Sequence, residues 1–162
     1  VDTMRPMRYQ SGQVIFTEGD PIPPPLYIAT NGQVLITKKS PDGTERSLAE
    51  LLAPTLFGEI ELFCQIPAVC TARAMTVVDT FILDRPTFDS LFASRHRELL
   101  QFTFNVARVA CHRLAIADEM LATVLKDEDL CELRRTVFSK MNRGKDWRRM
   151  TGAFKRLQWP EQ

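Results

Sequence analysis

Apolar residues fall in short runs through the first half of the chain: Val14-Ile15-Phe16, Leu26-Tyr27-Ile28, Val34-Leu35-Ile36 and Phe81-Ile82-Leu83. Gly12, Glu18-Gly19-Asp20, Asn31-Gly32 and Asp42-Gly43 punctuate them. Asn-Gly and Asp-Gly supply the positive φ that tight hairpin turns require. Strands this short cannot stand alone, so the pattern predicts an antiparallel barrel or jelly roll over residues 1 to about 84, whose closure removes exposed edges. From Pro86 the period lengthens. Leu99, Phe102, Val106, Val109, Arg113, Ile116, Met120 and Thr123 recur at alternating spacings of three and four. Six of these eight are apolar, which predicts a long helix with a seam. Leu114, Ala117, Leu121 and Val124 form a second row beside it. Such a helix can cover the β-domain with one face and meet a partner helix, as in a homodimer, with the other, or pack both rows on its own core.

The periodicity breaks at Lys126-Asp127-Glu128-Asp129, and Asp129 followed by Glu132 is a weak capping signal for a further short helix. The expected domains are therefore 1–125 and a helical tail, 126–162. The tail carries ten Lys/Arg against six Asp/Glu, and the remainder eleven against fourteen. Trp147, Met150, Phe154 and Leu157 share one helical face among Arg148, Arg149, Lys155 and Arg156. A basic amphipathic segment of this kind suits a protein partner or an acidic surface, and equally a fold-back onto its own domain. The tail lacks a two-helix pattern with a Gly turn and a strand pair for a wing, so sequence-specific DNA binding is not expected.

Composition narrows the class without naming it. The chain has 162 residues, 44% hydrophobic and 25% charged, with a formal net charge of +1, which fits a soluble globular protein. No apolar run is long enough to cross a bilayer. Cys64, Cys70, Cys111 and Cys131 form no CxxC pair and have no His at zinc spacing, which fits a reduced cytoplasmic setting and no metal. His96 and His112 have no nucleophile or carboxylate at useful spacing, so no enzyme and no catalytic residue is expected. The chain opens on Val1 rather than Met, as a part of a longer protein would.

The informative block is Phe57-Gly58-Glu59-Ile60-Glu61-Leu62-Phe63, followed by Pro67-Ala68-Val69-Cys70-Thr71-Ala72-Arg73-Ala74. Gly before Glu at the start of a short helical turn lets the backbone come close to a ligand, and the carboxylate accepts hydrogen bonds from hydroxyls. This block resembles the phosphate-binding cassette of the cyclic-nucleotide-binding domain family, which includes the catabolite activator protein, the protein kinase A regulatory subunit and nucleotide-gated channels. Gly12 to Asp20, Leu26 to Val34, Asp42-Gly43 and Asp79 to Leu83 match the same family in order. The resemblance spans residues 8–125. It implies an α+β fold, a jelly-roll-like antiparallel β-roll (a double-stranded β-helix) flanked by helices, with a long C-terminal helix. It implies cAMP or cGMP as ligand, no cofactor, and a regulatory role relayed through that helix.

The resemblance also marks departures. The family's arginine after the cassette proline pairs with the cyclic phosphate, and that position is Ala68. The next position, commonly small or hydroxyl-bearing, is Val69, and Glu61 stands where the family has Ala. The implied ligand-binding set is Phe57, Gly58, Glu59, Ile60, Ala68, Val69, Cys70 and Thr71, with Glu59 on the ribose 2′-hydroxyl. Without the arginine, three outcomes remain: weak cyclic-nucleotide binding, another ligand, or an empty structural pocket. Alternatives to a sensor are a ligand-independent dimerisation or interaction module and the cytosolic regulatory end of a channel or transporter. Arg73 is expected in a structural ion pair. Pro21-Ile22-Pro23-Pro24-Pro25 reads as a stiffened connection or a polyproline II ligand. Cys70 reads as a buried thiol or a redox-sensitive one.

Overall fold

The structure, a computed structural model, describes residues 4–94 and 97–124. Contacts divide the chain into two units, Val1–Arg108 and Val109–Gln162. The first contains eight strands: β1 (Arg5–Tyr9), β2 (Val14–Phe16), β3 (Leu26–Asn31), β4 (Gln33–Lys39), β5 (Glu45–Leu52), β6 (Thr55–Phe57), β7 (Thr71–Ala74) and β8 (Val78–Leu83). A short helix α1 (Glu59–Cys64) separates β6 from β7, and α2 (Arg85–Ala93) and α3 (Arg97–Val124) follow β8. The strands form two antiparallel sheets, ordered β1-β8-β3-β6 and β2-β7-β4-β5. The antiparallel shell and the long helix are those the pattern predicts, and the β-roll with flanking helices is the fold the resemblance implies.

The four predicted runs lie within β2, β3, β4 and β8. Asn31-Gly32 joins β3 to β4, and Gly32 takes a φ of 92°. A Cβ there would lie 2.3 Å from the Val77 carbonyl oxygen, so glycine is required by packing as well as by the turn. At the other end of β4, the Asp42 carboxylate accepts the Thr44 N–H at 2.9 Å and closes the turn into β5.

Two clusters hold this unit. One lies between the sheets and contains Tyr9, Phe16, Tyr27, Val34, Phe57, Ala68, Ala72, Ala74, Val78 and Ile82. Its aromatic centre is a Tyr27–Phe57 stack with centroids 4.9 Å apart, extended by Phe16 at 5.9 Å from Tyr27. Burial, chiefly, drives the Tyr27 phenol pKa up. The other cluster joins Leu26, Leu62, Leu83, Phe88 and Leu99, with Phe102 packed against it. Asp84 starts α2 by accepting the Thr87 N–H at 2.9 Å, and Pro86 occupies the first turn.

The predicted seam on α3 divides. Leu99 and Val106 are buried and Phe102 half-buried. In the second unit, residues 109–124 continue the helix with Val109, Ile116 and Met120 exposed, as are Leu114, Leu121 and Val124 of the second row. Neither row is covered there among the described residues. The expectations for the basic tail fall on 126–162, outside the described residues.

Candidate ligand-binding site

Phe57 ends β6 inside the aromatic stack, and the chain then turns sharply at Gly58, with a φ of 83°. A Cβ on Gly58 would lie 2.3 Å from the Pro25 carbonyl oxygen. The Pro21–Pro25 connection therefore supplies the wall against which the turn is pressed. Beyond it α1 begins. Glu59 and Glu61 are buried, at 7% and 2% exposure, whereas Ile60 faces out. Leu62 anchors the helix in the second cluster. Arg85 closes its far end, donating to the Leu62 carbonyl at 2.9 Å while its guanidinium lies 5.8 Å from the centre of the Phe88 ring.

The second segment, Pro67–Thr71, is pinned from the opposite side. Ala68 donates its N–H to Asp20 and accepts that of Gly19 at 3.2 and 2.8 Å, and it is buried with Phe16 and Phe57. The Val69 N–H donates to Glu61 Oε1 at 3.0 Å, which ties the two segments together. The Val69 carbonyl accepts from Lys38 Nζ. Lys38 also pairs with Glu18 Oε1 at 3.3 Å, and Glu18 Oε2 accepts the Lys39 N–H at 2.8 Å. That main-chain bond, above all, holds the Glu18 carboxyl below its ordinary range. The Glu18 N–H donates to the Thr71 hydroxyl at 2.9 Å.

The expected site residues thus meet different fates. Gly58 and Glu59 share one turn, and Val69 comes within reach of α1. Phe57 and Ala68 are core, and the Thr71 hydroxyl is engaged by Glu18. Cys70 is half-buried, and burial first, then the negative charge of Glu61, push its thiol pKa up to about 11. A thiol held protonated is a poor nucleophile, which argues against the redox reading. Arg73 corrects an expectation: among the described residues it forms a hydrogen bond rather than an ion pair, Nη1 donating to the Gly12 carbonyl at 3.1 Å. Among the described residues, no group of three His, Cys, Asp or Glu side chains gathers as metal ligands. No described helix is long and apolar enough to cross a membrane.

Sequence reasoning missed Lys38 and Glu18 and left Glu61 out of the site. The register of β4 shifts between Ile36 and Thr37, so simple alternation along the strand does not place Lys38. For Glu61 a signal existed: it departs from the family pattern together with Ala68.

Comparison with known proteins identifies the family and the fold. Residues 6–95 match the family described as the cyclic nucleotide-binding domain. A CRP-like cAMP-activated global transcriptional regulator of Mycobacterium tuberculosis is 30% identical over 122 residues, covering 75% of this chain and 52% of the regulator. The cAMP-dependent protein kinase regulatory subunit of Dictyostelium discoideum is 32% identical over 93 residues, covering 56% of this chain and 28% of the subunit. The crystal structure of the Thermus thermophilus catabolite activator protein superposes with a TM-score of 0.66 at 28% identity, covering 76% of this chain and 55% of that one. The chain spans about half the length of the mycobacterial regulator it matches.

Proposed function

The chain belongs to the cyclic nucleotide-binding domain family, and on that premise we propose that it is a non-catalytic, cytoplasmic regulatory domain with a weakened cyclic-nucleotide site. Glu59 takes the ribose 2′-hydroxyl of cAMP or cGMP, and the backbone of Gly58–Ile60 lies along the sugar. The observation that carries the reading is Glu59, a residue only 7% exposed directly after the left-handed Gly58. The weakness follows from Ala68. A cyclic phosphate entering a partly desolvated site needs a fixed cation, and removing one member of such a pair costs about 2–5 kcal/mol, roughly tens- to thousands-fold in affinity. Lys38 does not replace it, being engaged by Glu18 and the Val69 carbonyl. The relay runs through the second cluster, where Leu62 of α1 packs in one group with Leu99 and Phe102 of α3.

Amide-resolved NMR titration with cAMP and cGMP tests this. Saturable shifts at Gly58–Ile60, weakened by Glu59→Ala and with Kd above roughly 10 µM, are expected. Submicromolar capture would overturn the weakened site, and shifts mapping elsewhere would overturn its location.

A second reading is favoured by the exposed apolar rows of α3, including Ile116, Met120 and Val124. In it the helix dimerises or binds an effector independently of ligand, as the interaction module of a larger protein. Light scattering that shows a dimer abolished by Met120→Asp and indifferent to nucleotide supports this second reading.

A further inference from the structure

Glu61 is the anomaly of the cassette. Its residue is 2% exposed, yet the partner of its carboxylate is a main-chain amide, the Val69 N–H at 3.0 Å. A buried carboxylate ordinarily needs a cation or several hydrogen bonds. Val69 is the residue immediately after Ala68, in the segment through which a cassette would grip an anion. Its amide is therefore a natural anion donor, and a charge belonging to the protein has already claimed it. The surroundings reinforce this. Glu59 and Glu18 also act electrostatically on Cys70, next to Val69, with the same sign as Glu61, and Lys38 acts the other way. The Lys38 ammonium is itself paired with Glu18.

We infer that Glu61 is an internal anion seated on the Val69 amide in the place of a ligand phosphate, so that the site rejects anionic ligands and favours uncharged ribosyl compounds such as nucleosides. The inference rests on the ribose-site reading of Glu59. It also makes the substitutions at 61 and 68 a coupled pair. An arginine restored at 68 beside an intact Glu61 would be neutralised by it, and removing Glu61 alone would free the amide without supplying the cation.

A double-mutant cycle decides the matter. Wild type, Glu61→Ala, Ala68→Arg and the double variant are each titrated with cAMP and with adenosine, following amide resonances. Wild type should bind adenosine at least as tightly as cAMP. For cAMP, Ala68→Arg should gain less than about 3-fold, Glu61→Ala about 10-fold, and the double variant more than about 100-fold, exceeding the product of the singles. Adenosine affinity should move less than about 3-fold throughout. Without ligand, the Val69 amide proton should move upfield in Glu61→Ala. If that variant fails to fold, Glu61→Gln keeps the volume and removes the charge, and should still improve cAMP binding. Full recovery from Ala68→Arg alone, cAMP outbinding adenosine in wild type, or an unmoved Val69 resonance overturns the inference. If neither ligand perturbs Gly58–Ile60 in any folded variant, the ribose reading falls and the ligand class with it. The Val69 resonance then decides the internal-anion assignment by itself.

Discussion

The two segments of the cassette answer to different constraints. Phe57–Leu62 is held by the fold. Phe57 stacks on Tyr27, Gly58 takes a conformation and a spacing that only glycine accepts, and Leu62 is 2% exposed beneath α2 and α3. Pro67–Thr71 is held mainly through its backbone, by the 19–20 turn, Glu61 and Lys38. Within it Ala68 is the exception, since its small side chain is also packed in the core with Phe16 and Phe57. Packing and the positive φ account for Gly58 without a ligand. Glu59 bears the functional argument for the first segment, and Glu61 with Val69 bears it for the second.

Three measurements test this contrast. The largest effect is expected from Leu62→Ala, which removes the fully buried anchor of the first segment. It should destabilise by about 2–5 kcal/mol in urea unfolding. A loss under about 1 kcal/mol would mean that α1 is not pinned by the core. Next comes Gly58→Ala, with a positive φ and a Cβ 2.3 Å from a carbonyl oxygen. It should cost about 2 kcal/mol or more even without ligand. If it instead left stability unchanged and altered only binding, the packing account of this glycine would fail.

The smallest effect concerns the second segment and pH. At pH 8, iodoacetamide should modify Cys70 far more slowly than the exposed Cys64 and Cys111, read by mass spectrometry. Because the folded thiol pKa is raised, the protonated group favours the native state below the ordinary value near 9, and that contribution disappears as pH rises toward 11. Equal alkylation rates at pH 8 would show the second segment to be open rather than backbone-locked.

Much of the fold was legible. β2, β3, β4 and β8 carry contiguous apolar runs with Gly-bearing turns, and α3 carries its period openly. β5, Glu-Arg-Ser-Leu-Ala-Glu-Leu-Leu, is mostly exposed, and its pairing with β4 makes it a strand where its residues show no alternation. β7, Thr-Ala-Arg-Ala, is short and small-chained, and pairing between β2 and β4 stabilises it. In the site, the Gly58-Glu59 turn could be read directly. The burial of Glu61 could not, since a glutamate in a short helix normally meets water.

Local pattern carries the apolar runs of β2, β3, β4 and β8, their Gly-bearing turns, the turn into α1 and the period of α3. Each of these follows from local conformational preference or from residue identity at one position. The seating of the Glu61 carboxylate on the Val69 amide, and the reach of Lys38 to the same stretch, come from the folded chain alone. Those contacts join segments that are brought together by sheet pairing and core packing, and their energies depend on burial, which no local pattern encodes.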